Sequence, residues 1–150
     1  MEKKQIIIYP IGYVKTKVKK NKIKHDKKKV RSTIVLKKEL SDALDRLDEF
    51  SHLYVIFYMN KVKGRLEMKV HPRGRLDLPL VGLFSSRTAH RPNPIGLTLV
   101  KLIKKVKNVL HISGLDAIDG TPILDIKPFD SIDLVTKFST PSWLDKIIEN

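Results

Sequence analysis

The 150-residue sequence contains no cysteine. Disulfide bonds, thiolate zinc sites and cysteine nucleophiles are therefore excluded. A chain of this length can bury a sufficient hydrophobic core without crosslinks or metal ions, so we predict a single domain over residues 1–150. The absence of cysteine also suits a reducing compartment.

Long apolar runs are absent as well, and none approaches the length of a membrane span. The apolar run near the start, IIIY, is too short for the core of a signal peptide, and no small-residue cleavage site follows it. We therefore expect a soluble, cytoplasmic protein that does not use a membrane as a partner.

Several common catalytic motifs are also missing. The sequence has no GxGxxG, no GxxxxGK[ST], no HExxH and no nucleophile elbow. The five histidines are scattered and show no metal-ligand spacing, so no metal site is predicted. Dinucleotide, nucleoside-triphosphate and zinc-protease chemistry all lack their usual signatures here.

Positive charge, by contrast, is abundant and clustered. The net charge is +14, and residues 15–31 hold ten basic residues and one acid, which gives nine of those fourteen charges. Lys15, Lys17 and Lys19 alternate with apolar or β-branched residues, so a strand would place these three lysines on one face. Such a stripe is typical of nucleic-acid contact, with a solvated lysine-rich surface as the alternative and an acidic membrane surface as a weaker one.

Strand patterns dominate the chain, and only two helices are indicated, one with Ser41 as its N-cap and a terminal one with Thr140 and Pro141 at N-cap and N1. Many short strands with few helices predict a mainly β protein with a closed or nearly closed β-barrel. The predicted strands cover residues 5–18, 30–36, 53–59, 66–70, 81–84, 97–106, 109–113 and 123–126.

Residues 85–96, SSRTAHRPNPIG, form a polar loop between two predicted strands. Its two prolines fix φ and stiffen the backbone, which lowers the entropic cost of binding a ligand. Arg87 and Arg91 offer planar donors to a carboxylate or phosphate, and Asn93 can pair with a base or ribose. We interpret this loop as a binding site; a rigid connector whose polar groups face water is the alternative.

A second polar cluster, SGLDAIDGTPILDIKP, contains Asp116, Asp119 and Asp125 around a Gly-Thr-Pro turn. Three carboxylates could bind magnesium or accept a proton, whereas Asp119-Gly120 is also an ordinary turn pair. Asn60 and Lys61 end the apolar run LYVIFYM and so are predicted to lie at the rim of the barrel.

Three blocks in this order, FSHLYVIFYM, GLFSSRTAHRPNPIGLTLVKL and SGLDAIDGTPILDIKPF, resemble the TsaA-like (TrmO-type) family over residues 11–129. The resemblance implies an S-adenosylmethionine-dependent methyltransferase that acts on N6 of threonylcarbamoyl-adenosine beside the anticodon of tRNA. It also implies a single-sheet β-barrel without a Rossmann domain, which forms a homodimer with the cofactor near the subunit interface.

Carried over residue by residue, the resemblance implies cofactor contacts at eight positions. They are Asn60, Lys61, Arg87, Leu97, Ser113, Gly114, Leu115 and Asp116.

The chain departs from bacterial members of the family between the first two strands. Those members also contact the cofactor through a proline–arginine–glutamine segment there, whereas residues 20–31 of this chain are lysine-rich and lack it. Many bacterial members also carry a long C-terminal extension.

The methyl acceptor must lose a proton, and Asp116 or Asp119 is the predicted catalytic acceptor, with His90 as an alternative. Arg87 would pair with the methionine carboxylate or with an RNA phosphate. RNA contacts are predicted at Lys15, Lys17, Lys19, His90 and Arg91. Two other functions stay open: a non-catalytic RNA-binding barrel, and a methyltransferase with a different acceptor.

Overall fold

The computed structural model describes residues 5–17 and 30–148. Six strands form a closed antiparallel barrel in the order β1, β2, β7, β6, β3, β8, and β4 and β5 form a separate two-stranded sheet. The strands are β1 Gly12–Lys15, β2 Arg31–Leu36, β3 His52–Tyr58, β4 Lys69–Val70, β5 Val81–Gly82, β6 Ile95–Val106, β7 Val109–Ser113 and β8 Pro122–Pro128.

Alternating burial along the strands explains why the sheet closes on itself. In β3, Leu53, Val55 and Phe57 are buried while the residues between them are partly exposed. A strand with one apolar face must cover that face, and closing the sheet does so while removing its edges. Pairing of Gly12 with Ile123 joins β1 to β8 and completes the barrel.

The core lies inside the barrel and is aliphatic apart from Phe57. Its buried side chains come from all six barrel strands, from the short helical segment after β2 and from the connection between β7 and β8. They are Val14, Ile34, Leu36, Leu44, Leu53, Val55, Phe57, Val100, Leu102, Leu110, Ile112, Leu115, Ala117 and Ile123.

Helical structure is confined to short segments. The one α-helix among the described residues, α1 Asp145–Ile148, has four residues. The other helical segments are the 3-10 turns Lys38–Leu44, Leu47–Glu49, Pro72–Gly74, Leu83–Ser85, Ser131–Asp133 and Ser142–Leu144. The prediction of a mainly β, single-sheet barrel without a Rossmann domain is confirmed.

Two predicted helix starts are wrong. The first helical segment begins after Lys37, and the Ser41 hydroxyl donates to the Lys38 carbonyl at 2.6 Å instead of capping backbone amides. Near the C-terminus, Pro141 itself occupies the N-cap of a 3-10 turn, without a side-chain cap from Thr140. Both errors have the same cause, since the segments are 3-10 turns and not the α-helices that these cap positions presuppose.

Some predicted strand boundaries are also wrong. β1 is confined to Gly12–Lys15, and residues 5–11 are not a strand although IIIY has high β propensity. The Ile11 amide donates to the Ile123 carbonyl of β8 at 2.8 Å, but no strand within the described residues pairs with residues 5–10. Val18 and Lys19 lie outside the described residues. The predicted strand over 66–70 shortens to β4, whereas β3, β6, β7 and β8 match their predictions within three residues.

The chain divides into two compact units. Unit 1, Met1–Lys61 and Ile95–Phe129, contains the barrel, and unit 2, Val62–Pro94 and Asp130–Asn150, contains β4, β5 and α1. Within unit 2, the Arg75 guanidinium donates to the Lys146 carbonyl at 2.8 Å and fixes α1. The predicted single domain over residues 1–150 stays a prediction.

None of the helices in residues 5–17 and 30–148 combines the length and the apolar composition that crossing a bilayer requires.

Candidate functional site

Antiparallel pairing gathers the predicted site residues of unit 1 at one end of the barrel. β1, β3 and β7 end where β2, β6 and β8 begin, so the connections at that end lie side by side. Asn60 and Lys61 follow β3, Leu97 is the third residue of β6, and Ser113 is the last residue of β7. Segments that are distant in sequence therefore share one rim.

Asp119 connects two strand ends at this rim. Its carboxylate oxygen Oδ1 accepts a hydrogen bond from the Thr16 amide at 3.0 Å, and its backbone carbonyl accepts one from Lys61 Nζ at 2.9 Å. The Gly120 amide donates to the Val14 carbonyl at 2.8 Å. The segment between β7 and β8 is thus tied to the end of β1 and to the turn after β3.

Asp116 is held from a third strand. Its carboxylate accepts a short hydrogen bond from the hydroxyl of Thr98 on β6. The neighbouring residues Leu115 and Ala117 are buried in the core and anchor the backbone on both sides. A half-buried carboxylate with a fixed orientation is suited to positioning a ligand or accepting a proton.

Thr98 is a site residue that sequence reasoning missed. It lies between Leu97 and Leu99 on β6, where period-two alternation would place the two leucines inside the barrel. The structure shows the reverse, with Leu97 52% and Leu99 43% exposed and Thr98 half-buried. The available signal was a hydroxyl residue in a strand just after the RPNPIG block, but only the folded chain shows which carboxylate it contacts.

An apolar patch covers the outer surface of the barrel beside this rim. We call the exposed side chains of Tyr58, Ile95, Leu97 and Leu99 the apolar face. Tyr58 pairs with Ile95 across β3 and β6, so these residues are neighbours. Leu97, which the resemblance assigns to the cofactor, therefore belongs to an exposed apolar surface.

Gly114 allows the chain to leave β7 toward Asp116. Its φ of 97° lies in the left-handed region that favours glycine, and its amide donates to the Val30 carbonyl at 2.9 Å. Ser113 pairs with Arg31 on one side and with Lys101 on the other. Ser113, Gly114, Leu115 and Asp116 thus run from the sheet into the core and back to the rim.

Residues 85–94 of the proline-rich loop belong to unit 2, and their polar side chains differ in their contacts. The ring Nε2 of His90 is 2.7 Å from the Lys63 carbonyl, and Arg91 donates to the Ser86 carbonyl at 2.9 Å while its guanidinium lies over the Phe84 ring. His90 and Arg91 therefore shape the loop, and their predicted RNA contacts stay predictions.

Arg87 is exposed, and no hydrogen bond or ion pair joins its side chain to another residue in the described part of the chain. Its guanidinium is available to a ligand. Its role as a cofactor contact stays a prediction, as do the roles of the rim residues in unit 1.

The lysine stripe is partly described. Val14 is buried, whereas Lys15 and Lys17 are exposed, so the predicted alternation holds over these positions. Lys19 lies outside the described residues.

The chain is similar to several known proteins. The tRNA-methyltransferase O N-terminal domain family matches residues 15–133. A mouse tRNA (adenine(37)-N6)-methyltransferase is 48% identical over 103 residues, which are 67% of this chain and 23% of that protein. An S-adenosyl-L-methionine-binding protein of Archaeoglobus fulgidus is 33% identical over 136 residues, covering 88% of this chain and 96% of the relative.

Among solved structures, a crystal structure of TrmO from Pseudomonas aeruginosa aligns with a TM-score of 0.73 and 27% identity. The alignment covers 91% of this chain and 62% of that one. This chain therefore spans less than a quarter of the mouse relative and under two thirds of the bacterial structure.

Proposed function

The chain belongs to the tRNA-methyltransferase O N-terminal domain family, and from that premise we propose that it methylates tRNA with S-adenosylmethionine. The proposed acceptor is N6 of threonylcarbamoyl-adenosine beside the anticodon. The proposed partner is tRNA and the proposed location is the cytoplasm. The relatives named as methyltransferases and as S-adenosylmethionine-binding proteins support the cofactor and the reaction.

One observation carries the proposal. Residues that the family resemblance assigns to the cofactor come from three separate parts of unit 1 and meet at one end of the barrel. Asn60, Lys61 and Asp116 supply polar and charged groups there, and Leu97 supplies exposed apolar surface. This mixture fits a cofactor that has both charged and apolar parts.

S-adenosylmethionine, when bound, supplies a methyl group on a sulfonium and carries the transfer chemistry. The chain's residues must hold the acceptor nitrogen in line and accept its proton. Asp116 is the favoured proton acceptor because Thr98 fixes its carboxylate and the core fixes its backbone. Asp119 is the second candidate, with one carboxylate oxygen engaged by the Thr16 amide.

We further propose a homodimer formed through the apolar face. Contiguous exposed apolar side chains on one sheet surface are typical of a protein interface. Leu97 lies within this face, which supports a cofactor site close to the second copy. A dimer of this kind would complete the site with residues from both subunits.

Labelled S-adenosylmethionine incubated with the protein and total tRNA tests the function. Mass analysis of the nucleosides should find labelled N6-methyl-threonylcarbamoyl-adenosine. RNA binding without label would favour the non-catalytic barrel, and label on a small molecule would favour a different acceptor. Either result would overturn the proposal.

Asp116→Asn and Asp119→Asn distinguish the two proton acceptors. The variant that removes the true proton acceptor should lose about 10²-fold or more of the methyl-transfer rate while it still binds the cofactor. Calorimetry with S-adenosylmethionine provides the control. If both variants retain the full rate, neither aspartate accepts the proton.

A further inference from the structure

We infer that a cationic cleft on the outer surface of the barrel binds the phosphate backbone of RNA. We call it the β1–β6 cleft, a cavity of about 640 Å³ lined by residues of β1, β2, β7 and β6. The predicted lysine stripe accounts for one edge of it only. Arg31, Lys104 and His111 have no role in the site described above, and each of them lines this cleft.

Strand pairing places the cleft's polar groups in one row. Lys15 pairs with Thr33, Thr33 with His111, and His111 with Lys104, so four adjacent strands each contribute one residue. Directly paired residues in antiparallel strands point to the same face.

A second cation extends the row along the strands. Arg31 lies two residues before Thr33 on β2, and so on the same face. Lys17 follows the end of β1 and also lines the cleft. Cations are therefore distributed in two dimensions, which matches a chain of phosphates better than one small anion.

The positive charge of this cleft is not neutralised from within. Among the described residues that line it, Asp119 is the only acid, and its Oδ1 accepts from the Thr16 amide. No ion pair within residues 5–17 and 30–148 involves Lys15, Arg31 or Lys104. Unpaired cations in a concave site attract a polyanion by releasing its condensed counterions.

RNA is the favoured occupant because the proposed function supplies an RNA substrate, and to that extent this inference rests on it. Phosphate contacts would position the tRNA without reading its sequence. Binding and methylation are measured separately, so the failure of one is distinguishable from the failure of the other.

The test compares two double variants by fluorescence anisotropy with an in vitro transcribed tRNA over a series of KCl concentrations. Arg31→Gln with Lys104→Gln removes two cations from the cleft. Lys37→Gln with Lys107→Gln removes two exposed cations that follow the C-terminal ends of β2 and β6 and do not line the cleft. Both variants change the net charge equally.

The cleft variant should bind tRNA more weakly, and its slope of log K against log salt should be shallower by about 1.5. The control variant should keep the native slope. Equal slopes for all three proteins, or equal losses in both variants, would overturn the inference.

Calorimetric titration of the cleft variant with adenosine monophosphate provides a second measurement. If the cleft variant keeps its tRNA slope but loses binding of adenosine monophosphate, the site takes a small phosphate ligand and RNA is the wrong occupant.

Discussion

Single side chains determine how the predicted site is arranged. Asp119, which looks in sequence like an ordinary turn residue, ties β1 to the turn after β3 through two hydrogen bonds. His90 and Arg91, which look in sequence like ligand-binding groups, contact carbonyls of their own unit. Residue type alone does not distinguish these uses, because a polar side chain bonds whichever partner the fold brings near it.

Arg87→Ala should weaken S-adenosylmethionine binding by about tenfold or more, because a charge-assisted hydrogen bond to the cofactor carboxylate would be removed. The protein should stay folded, since Arg87 is exposed. Calorimetry measures the affinity, and circular dichroism measures the fold. Arg65→Ala, a change at another exposed arginine of unit 2, is the control. Unchanged affinity in Arg87→Ala would refute the assigned role.

Gly96→Ala should destabilise the barrel by about 1–3 kcal/mol through overpacking. A Cβ at Gly96 would overlap the ring of Phe57, with which Gly96 pairs. Urea unfolding measures the change. Gly82→Ala is the control, because nothing lies within contact distance of its added methyl group.

The combined variant Gly96→Ala with Phe57→Leu should lose less stability than the sum of the two single changes. Additive losses would show that the ring is not the cause. The last residue of the RPNPIG block is then a packing requirement of the strand pair.

At the scale of elements, the ends of the strands carry the functional groups and the closing contacts. Lys105 near the end of β6 donates to the Leu44 carbonyl at 2.9 Å and contacts Asp48 at 2.7 Å. These bonds attach two 3-10 segments to the end of the barrel away from the candidate site. The hydrogen bond from Lys105 lowers the pKa of the Asp48 carboxyl.

Lys105→Met should lower the free energy of unfolding by about 1 kcal/mol, because the Leu44 carbonyl loses its partner. A carboxyl group whose pKa is lowered by folding stabilises the fold at pH values above its ordinary pKa of about 3.9. This contribution is lost as the pH falls through the lowered pKa. The Tm difference between native and Lys105→Met protein should therefore be full at neutral pH and shrink below about pH 4.

Lys101→Met on the same strand is the control for this change, since Lys101 is exposed. A Tm difference that stays constant down to strongly acidic pH would show that Asp48 contributes nothing to it.

The lysine stripe gives a prediction for β1 and its continuation. Replacing Lys15, Lys17 and Lys19 with Gln should weaken tRNA binding and flatten its salt slope by about 2, or roughly 0.7 for each phosphate that is no longer neutralised. Filter binding over a salt series measures this. A slope equal to that of the native protein would mean that the stripe is only a solvated face.

For the whole molecule, the closed antiparallel barrel resembles solved TrmO structures, and this architecture agrees with the missing GxGxxG motif. Closure of the barrel leaves the apolar face exposed on the outer surface of β3 and β6. We propose that a second copy of the chain packs against the apolar face.

Leu99→Glu should convert a dimer into a monomer, because it buries a charge in the proposed interface. Sedimentation velocity measures the mass of both proteins. Leu76→Glu, at an exposed leucine outside the apolar face, should leave the mass unchanged. A native protein that sediments as a monomer, or a Leu99→Glu protein that stays dimeric, would contradict the proposed interface.

Much of the architecture could be predicted from local patterns. The run LYVIFYM and the hairpin around Lys107 and Asn108 indicated β3, β6 and β7, because a strand's alternation and a tight turn are both encoded within a few residues. The predicted first strand includes IIIY and is therefore too long, because β propensity does not indicate whether a partner strand is present.

The sequence by itself determined the fold class, the family and the clustering of positive charge, since each depends on residue type and spacing along the chain. Only the tertiary structure decided which distant residues meet: Thr98 with Asp116, Lys61 with Asp119, and Arg31, His111 and Lys104 with the lysine stripe. The physical reason is strand register, because pairing across the barrel sets long-range neighbours that no local pattern contains.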